Sequence, residues 1–330
     1  MKHNRVGISW LLIGLLLIPA GFVLFAFSRD KLEKLTIASV ELPTVGLLFL
    51  AEAEGFFAKE GLEVTFKDFS VGRDALTATL KGEADIATVY ETVAVLNILK
   101  GEPIAMVSTL HQSSRNTALV ARKDRKIDAL VDLIGKRIGV TFNTSGIFFL
   151  RSSLNSQGIA TSQVTLVDTP PDRMVASLQS GAVDAVATWA PFTHRAVQAI
   201  GEDNATLYHS DVYTEISLLV GRREALVAKQ EALTRLLRAL LRAEAFLVGR
   251  TDEAYAAIAR RLNINDEEMR KIRGDFTPIL TLDNILLTIL RQEATWFVEA
   301  GGLPGPVPDF RSFLFPAPLE GVKPEYITIL

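Results

Sequence analysis

Cysteine is absent from this 330-residue chain. Its absence excludes disulfide bridges, thiolate nucleophiles, zinc–thiolate sites and iron–sulfur clusters, as well as a lipid-modified N-terminal cysteine. The four histidines, His3, His111, His194 and His209, are scattered without i,i+4 pairs or neighbouring ligand clusters. We therefore expect no metal site.

Basic clusters and nucleotide-binding loops are also missing. The formal net charge is -3 and no block of Lys and Arg occurs, so no nucleic-acid partner is expected. The chain has no Walker-type loop, no G-x-G-x-x-G and no G-x-S-x-G, which are the motifs of nucleotide-binding and serine-hydrolase folds. The sequence therefore predicts no catalytic residue and no cofactor.

An apolar run near the N-terminus predicts a membrane segment. Lys2 and Arg5 precede the uncharged residues 6–28, which are rich in Leu, Ile, Val and Phe. This run is long enough to cross a bilayer as a helix, and the basic residues before it orient the rest of the chain outside the cytoplasm. A cleaved signal peptide, with a site at residues 26–28, is the alternative, although the length of the run favours an uncleaved anchor.

Beyond this segment, strands alternate with helices, as is typical of α/β units on a largely parallel sheet. Residues 80–88 and 178–188 resemble each other, since each has the end of a helix, a glycine, an aspartate and a buried strand. This repeat favours two α/β lobes of similar design. Amphipathic helices follow residue 215, one of them with Asn265 as its predicted N-cap and Glu268 at the capping-box position.

Residues 137–150 predict a strand that leads into a helix through a small polar turn. Ile138–Val140 is a short buried strand, and Asn143, Thr144, Ser145 and Gly146 form the turn. The first N–H groups of such a helix and two neighbouring hydroxyls form a ready site for an anion. The alternative is that Thr144 or Ser145 only caps the helix.

Five motifs, in chain order, resemble those of one protein family. They are residues 50–64 (LAEAEGFFAKEGLEV), 82–89 (GEADIATV), 132–140 (DLIGKRIGV), 189–192 (WAPF) and 324–328 (PEYIT). Together they make the chain similar, from about Leu35 to its end, to extracytoplasmic solute-binding proteins of ABC transporters of the nitrate/sulfonate/taurine, thiamine-precursor-like type.

This resemblance implies an α/β, two-lobed periplasmic-binding-protein-like fold (type II, Venus flytrap). Residues 1–34 would be the anchor or signal segment with a spacer, residues 35–117 plus 213–330 lobe 1, and residues 118–212 lobe 2. A small-molecule ligand would bind between the lobes, at the carboxyl ends of strands. The partners implied are an ABC permease and its ATPase, with the chain itself a monomer on the extracytoplasmic face of the membrane.

Several rim segments are predicted to meet the ligand. They are Glu41, Leu42 and Pro43; Tyr90, Glu91 and Thr92; Asn143, Thr144, Ser145 and Gly146; Trp189; and Glu215, where the chain crosses back between lobes. A plain turn at Pro43, a solvated Glu91 at a helix start and a core Trp189 are the alternatives. Tyr90 and Glu91 replace the family's usual Gly-Asp, and a carboxylate at Glu91 would disfavour a simple anion.

The predicted function is therefore capture of a small organic solute, acidic or zwitterionic, for ABC uptake. A membrane-tethered ligand sensor is one alternative. An enzyme on the same fold is another, but thiamine-pyrimidine synthases carry a cysteine-rich motif that is missing here, and menaquinone-pathway enzymes are cytoplasmic. We expect no enzyme activity.

Overall fold

The computed structural model describes residues 32–210, 212–299, 303 and 305–329. The predicted anchor, residues 6–28, lies outside the described residues. Within the ranges that are described, no helix combines the length and apolar character needed to cross a bilayer.

Strands and helices alternate in the order that the sequence predicts. The strands are β1 Glu33–Val40, β2 Leu62–Phe69, β3 Ile86–Tyr90, β4 Ile104–Ser113, β5 Thr117–Arg122, β6 Arg137–Val140, β7 Thr165–Asp168, β8 Ala185–Trp189, β9 Ala205–His209, β10 Glu215–Arg222, β11 Thr277–Pro278, β12 Leu282–Asp283 and β13 Ile327–Thr328. The α-helices are α1 Gly46–Ala53, α2 Phe56–Lys59, α3 Gly72–Leu80, α4 Glu91–Leu99, α5 Ser145–Ser156, α6 Pro171–Gln179, α7 Phe192–Ile200, α8 Arg223–Ala228, α9 Gln230–Gly249, α10 Thr251–Arg261, α11 Asp266–Ile272, α12 Asn284–Glu299 and α13 Ala317–Glu320.

Two sheets of similar order form the frame of the molecule. The first has the strand order β11-β4-β10-β3-β1-β2 and the second β7-β6-β8-β5-β9. In the first, β1 is parallel to β2 and β3, whereas β10 is antiparallel to β3 and β4. In the second, β6 is parallel to β7 and β8, whereas β5 is antiparallel to β8 and β9. The predicted two-lobed α/β fold is confirmed.

We call the part of the molecule around the first sheet lobe 1 and the part around the second sheet lobe 2. The chain passes from β4 to β5 and later returns from β9 to β10, so two crossing segments connect the sheets. The precise lobe boundaries that the sequence suggests, at residues 117/118 and 212/213, stay a prediction.

The two similar sequence segments occupy equivalent places in the two lobes. Each has a glycine with positive φ after its helix, which is the conformation that ends many helices. Asp85 then accepts a hydrogen bond from the backbone N–H of Thr36 in β1 at 2.8 Å. Asp184 accepts one from the backbone N–H of Arg137 in β6 at 2.9 Å. Each aspartate thus fastens the start of one central strand to its parallel neighbour.

Apolar burial accounts for the central strands and the long helix. All of β3 and β8 is buried, as expected for strands covered on both faces. In α9, Leu233, Leu236, Leu237 and Leu240 are fully buried on one stripe, which matches the predicted amphipathic pattern.

The predicted capping box at α11 is only half formed. The side chain of Asn265 accepts from the backbone N–H of Glu268 at 2.8 Å, as an N-cap does. The carboxylate of Glu268, however, binds Arg195 of α7 through two hydrogen bonds of 2.7 and 3.1 Å. A charged partner on lobe 2 therefore replaces the reciprocal backbone contact of a capping box, because a bidentate guanidinium–carboxylate pair is the stronger interaction.

Candidate functional site

A cavity lies between the lobes at the carboxyl ends of the strands. Its described lining consists of Val40, Leu42, Val71, Gly72, Val89, Tyr90, Val93, Thr144, Ser145, Trp189 and Ser217. These residues lie at or just after the ends of β1, β3 and β8, at the starts of α3, α4 and α5, and in β10. Open α/β sheets place their ligand sites at such ends.

The N-terminus of α5 forms the polar wall of this cavity. Within the described residues, neither Thr144 nor Ser145 caps the helix with its side chain. The Thr144 hydroxyl instead donates to the carbonyl of Thr141 at 2.7 Å. The Ser145 side chain is fully buried, and no described atom partners its hydroxyl. The capping interpretation is therefore wrong for both side chains, and the first N–H groups of α5 have no intrahelical acceptor.

Trp189 closes the lobe 2 side of the cavity. It is 2% exposed, and its indole N–H has no hydrogen-bond partner in the described part of the chain. A Cβ added to Gly146 would lie 3.5 Å from the Trp189 ring, at ordinary van der Waals distance, so the first turn of α5 packs directly on β8. Because an unpaired buried donor costs about 1–3 kcal/mol, the Trp189 and Ser145 donors together suit an acceptor group in the cavity.

The remaining predicted residues of the turn and the first rim segment lie outside the described lining. Asn143 is exposed, and its φ of 58° makes the turn before α5. Glu41 is exposed and pairs with Arg261 at 3.6 Å. Pro43 is buried at the start of a short 3-10 turn. From the first rim segment, the structure brings only Leu42 to the cavity.

Glu91 is buried away from the cavity. Its carboxylate accepts hydrogen bonds from the Tyr213 hydroxyl and from the backbone N–H of Ile216, the latter at 2.6 Å. The Thr92 hydroxyl lies between two carboxylates, 3.3 Å from Glu91 and 3.1 Å from Glu293. The expectation that the Glu91 charge would oppose an anion in the cavity therefore needs correction, because this carboxyl is held by the second crossing segment and by β10.

Glu215 is likewise buried behind the cavity wall. It accepts hydrogen bonds from the side chains of Asn116 and Thr117. The Asn116 amide also donates to the Tyr90 hydroxyl at 3.1 Å, and Tyr90 lines the cavity. Glu215 thus contacts the cavity wall through the Tyr90 hydroxyl, both directly and by way of Asn116.

Burial raises the pKa values of these carboxyls above those of exposed glutamates. Burial, together with the nearby Glu91, raises the pKa of Glu215 to about 8, although the hydrogen bonds from Thr117 and Asn116 act to lower it. Burial also raises the pKa of Glu91 and, with the Glu91 charge, raises the pKa of Glu293 well above its ordinary value. The carboxyls of Glu91 and Glu293 hydrogen-bond each other, so this pair holds at least one proton at neutral pH.

Sequence reasoning missed four members of this buried network: Asn116, Thr117, Tyr213 and Glu293. The sequence pattern could have identified one of them. Glu293 lies on the same helical stripe as the buried Leu286, Leu290 and Phe297, where an acidic residue needs a polar partner. The other three lie in or beside the crossing segments, where the sequence shows no periodic pattern.

Contacts across the cleft hold the lobes together. Arg73 of α3 donates to the carbonyl of Phe142, next to the α5 turn, at 3.0 Å. Phe148 of α5 packs edge to face against Trp296 of α12, with ring centroids 5.5 Å apart. Arg115, next to the outgoing crossing segment, pairs with Asp275 at 3.3 Å. Neither arginine belongs to the described lining.

The Arg195–Glu268 pair is expected to stabilise the closed arrangement. Arg195→Gln removes a bidentate pair whose carboxylate is only 10% exposed, which should cost about 1–2 kcal/mol. Amide hydrogen exchange at the cleft rim, residues 72–80 and 142–150, should then become roughly 5- to 30-fold faster. The swapped variant Arg195→Glu/Glu268→Arg should recover most of this protection. Unchanged exchange in the single variant would contradict a role in closure.

The site contains no constellation suited to a metal. Among the described residues, no group of three or more His, Cys, Asp or Glu is placed to hold a metal ion. The described lining of the cavity also has no formal charge. The arrangement therefore offers neutral donors, a helix N-terminus and apolar surface.

Comparisons with known proteins agree with this architecture. The family described as "NMT1/THI5 like" matches residues 43–254. Over 163 residues the chain is 31% identical to a taurine-binding periplasmic protein of Escherichia coli (strain K12), a match that covers 49% of each protein. The chain thus matches about half the length of that curated relative.

Two solved structures show the same fold. The alkanesulfonate-binding protein SsuA from Xanthomonas axonopodis pv. citri, bound to MOPS, superposes with a TM-score of 0.75 at 17% identity, covering 87% of this chain and 99% of that one. The desulfurization enzyme DSZB superposes with a TM-score of 0.63 at 18% identity, covering 89% and 99%. Since the family match spans more than half of the chain and both walls of the cavity, the chain belongs to the NMT1/THI5-like family and has the two-lobed fold of periplasmic binding proteins.

Proposed function

We propose that this protein is the substrate-binding component of an ABC uptake system, which captures a small organic acid between its lobes and delivers it to a membrane permease. One observation carries the proposal. Ser145 and Trp189, whose buried hydroxyl and indole N–H have no described partners, both line the cavity at the N-terminus of α5.

The acidic group of the ligand belongs at this helix end. A helix N-terminus carries roughly half a positive charge and free N–H groups, and it binds oxyanions without a cationic side chain. Ser145 and Trp189 add two donors to those of the backbone. A sulfonate or carboxylate offers enough acceptor oxygens for all of them, and Thr144 and Gly146 shape the same turn.

The rest of the ligand belongs against apolar surface. Val40, Leu42, Val71, Val89 and Val93 form most of the opposite wall. An ammonium group there would be buried without a carboxylate partner, which is costly, because Glu91 and Glu215 bind the crossing segments instead. This favours an organic anion with a short apolar body over a zwitterion.

The lining also supports binding rather than catalysis. Nucleophilic and acid–base catalysis need groups such as Cys, His, Lys, Asp or Glu within reach of the substrate. The described lining has none of them. The Ser145 hydroxyl has no described base beside it, although the fold itself is shared with an enzyme.

The family and the N-terminal sequence support a proposal for location and partners. The protein would act as a monomer on the extracytoplasmic face of the cytoplasmic membrane, either anchored by residues 6–28 or released after cleavage. The permease and its ATPase would be its partners. A tethered ligand sensor has the same geometry and is distinguished by the absence of solute uptake.

A matched pair of ligands tests the proposal. Ethanesulfonate and taurine have the same acidic group and differ by one ammonium group, so calorimetry with the full-length chain should show ethanesulfonate binding at least tenfold more tightly. At a concentration 100 times its Kd, it should stabilise the fold by about 2.7 kcal/mol. Nitrate, bicarbonate, butanoate and an aminopyrimidine complete the panel.

Each outcome has a defined meaning. Taurine binding as tightly as ethanesulfonate would contradict the apolar assignment of the lobe 1 wall. Binding of none of the anions would contradict the acid-binding role of α5.

A further inference from the structure

We propose that the buried carboxyls of Glu91 and Glu215 form a proton-controlled lock on the hinge, which holds the lobes closed while protonated and releases them on ionisation. The lock itself concerns the fold alone. Its use for ligand release rests on the function proposed above.

The first step is that these carboxyls bind both crossing segments. Glu91, at the start of α4 in lobe 1, accepts from Tyr213 on the segment that returns from lobe 2 and from Ile216 in β10, into which that segment leads. Glu215, on that returning segment, accepts from Asn116 and Thr117 on the outgoing one. The two carboxyls therefore connect lobe 1 to both covalent connections between the lobes.

The second step is that the lock contacts the ligand cavity. Asn116 binds Glu215 and the Tyr90 hydroxyl with the same amide group. Tyr90 lies in the cavity wall, and the backbone of Ser217, two residues beyond Glu215, pairs with that of Tyr90 between β10 and β3. A shift of the crossing segments therefore moves one side of the cavity.

The third step is that no positively charged group described near Glu215 would compensate the negative charge of its ionised carboxylate. The titratable groups that face Glu215 are Tyr90, Glu91 and Tyr213, with Glu293 behind Glu91. Burial raises the pKa of both tyrosines well above 10, so they stay neutral. On the adjoining strand β4, His111 is also buried, which lowers its pKa to about 3.

Ionisation therefore opposes closure. A glutamate exposed to water in an open hinge ionises near its ordinary pKa of about 4.3, whereas burial raises the pKa of Glu215 to about 8 in the closed structure. Closing thus takes up a proton at any pH between these values, and the closed state weakens as the pH rises toward 8. By linkage the closing equilibrium falls by up to tenfold per pH unit, and it levels off above pH 8.

The lock is testable without any ligand. Because the chain has no cysteine, Thr77→Cys in α3 and Asp172→Cys in α6 can carry two spin labels, one on an exposed helix position of each lobe. Pulsed electron resonance on the full-length chain then gives the interlobe distance distribution from pH 6 to pH 9. We expect a growing long-distance population as the pH rises to 8 and no further growth above it.

Glu215→Gln is the deciding variant. Its amide oxygen can accept from Asn116 and its NH₂ can donate to Thr117, which imitates the protonated carboxyl, so the part of the opening that grows up to pH 8 should disappear, whereas any contribution of Glu91 should remain. Glu224→Gln, an exposed position in α8, should behave like the unmodified chain. The proposal would be overturned if the distance distribution of the unmodified chain did not depend on pH. It would also be overturned if Glu215→Gln showed the same pH response as the unmodified chain.

A second variant covers the case in which Glu215→Gln does not fold. Thr117→Val removes a hydrogen bond that lowers the pKa of Glu215, so the pH at which opening levels off should move upward. No movement, or movement downward, would overturn the proposal. Since no ligand enters these measurements, they remain decisive even if the proposed solute-binding function is wrong.

Discussion

Replacing Ser145 with Val is expected to weaken ligand binding at least 100-fold. The variant loses a buried hydroxyl that is free to donate to the acidic group, and a hydrogen bond to a charged group contributes about 1.5–3 kcal/mol. The added methyl groups also enter the cavity beside the first N–H groups of α5, where they obstruct the oxygens of the ligand. Calorimetry with ethanesulfonate measures the loss.

Ser156→Val provides the matched control for this prediction. It makes the same change on the same helix, at an exposed position near the other end. Its affinity should equal that of the unmodified chain, and both variants should keep their thermal midpoints within a few degrees. An affinity for Ser145→Val within threefold of the original would exclude the α5 N-terminus as the acid-binding wall.

Replacing Glu91 with Ala is expected to lower the free energy of unfolding by about 3–5 kcal/mol. The substitution leaves the Tyr213 hydroxyl and the Ile216 N–H without their acceptor in a fully buried site. Each unsatisfied buried group costs about 1–3 kcal/mol, and the missing side chain leaves a cavity besides. Relief of the contact with Glu293 offsets only part of this loss.

Urea unfolding measures this second effect. Glu224→Ala, at an exposed site, should change the free energy by less than about 0.5 kcal/mol. A loss below 1 kcal/mol for Glu91→Ala would show that the carboxyl contributes little to the hinge. Comparison of the two variants distinguishes the effect of losing a buried, hydrogen-bonded carboxyl from the effect of removing a glutamate from the surface.

Local patterns were sufficient to predict the frame and part of the cavity. Strand–helix alternation and the repeat at residues 80–88 and 178–188 indicated two similar lobes, because periodicity and glycine stops are local properties of a sequence. The rule that ligands bind at the carboxyl ends of strands then selected Leu42, Tyr90 and Trp189. All three line the cavity.

Side-chain direction was the part that local patterns did not determine. Glu41 and Glu91 lie at the ends of strands just as Leu42 and Tyr90 do, yet Glu41 pairs with Arg261 and Glu91 binds the second crossing segment. Their partners lie more than 100 residues away along the chain, as Tyr213 does from Glu91. Only the assembled fold shows which neighbouring side chain reaches the cavity.

The strand order of the two sheets also has a consequence for synthesis. The second sheet is built from one continuous stretch, residues 117–209, whereas β10 lies between β3 and β4 in the first. Lobe 2 therefore has all its strands as soon as β9 leaves the ribosome. The first sheet lacks its central strand until β10 is synthesised. Lobe 1 therefore completes its sheet after lobe 2, although its first strands are made earlier.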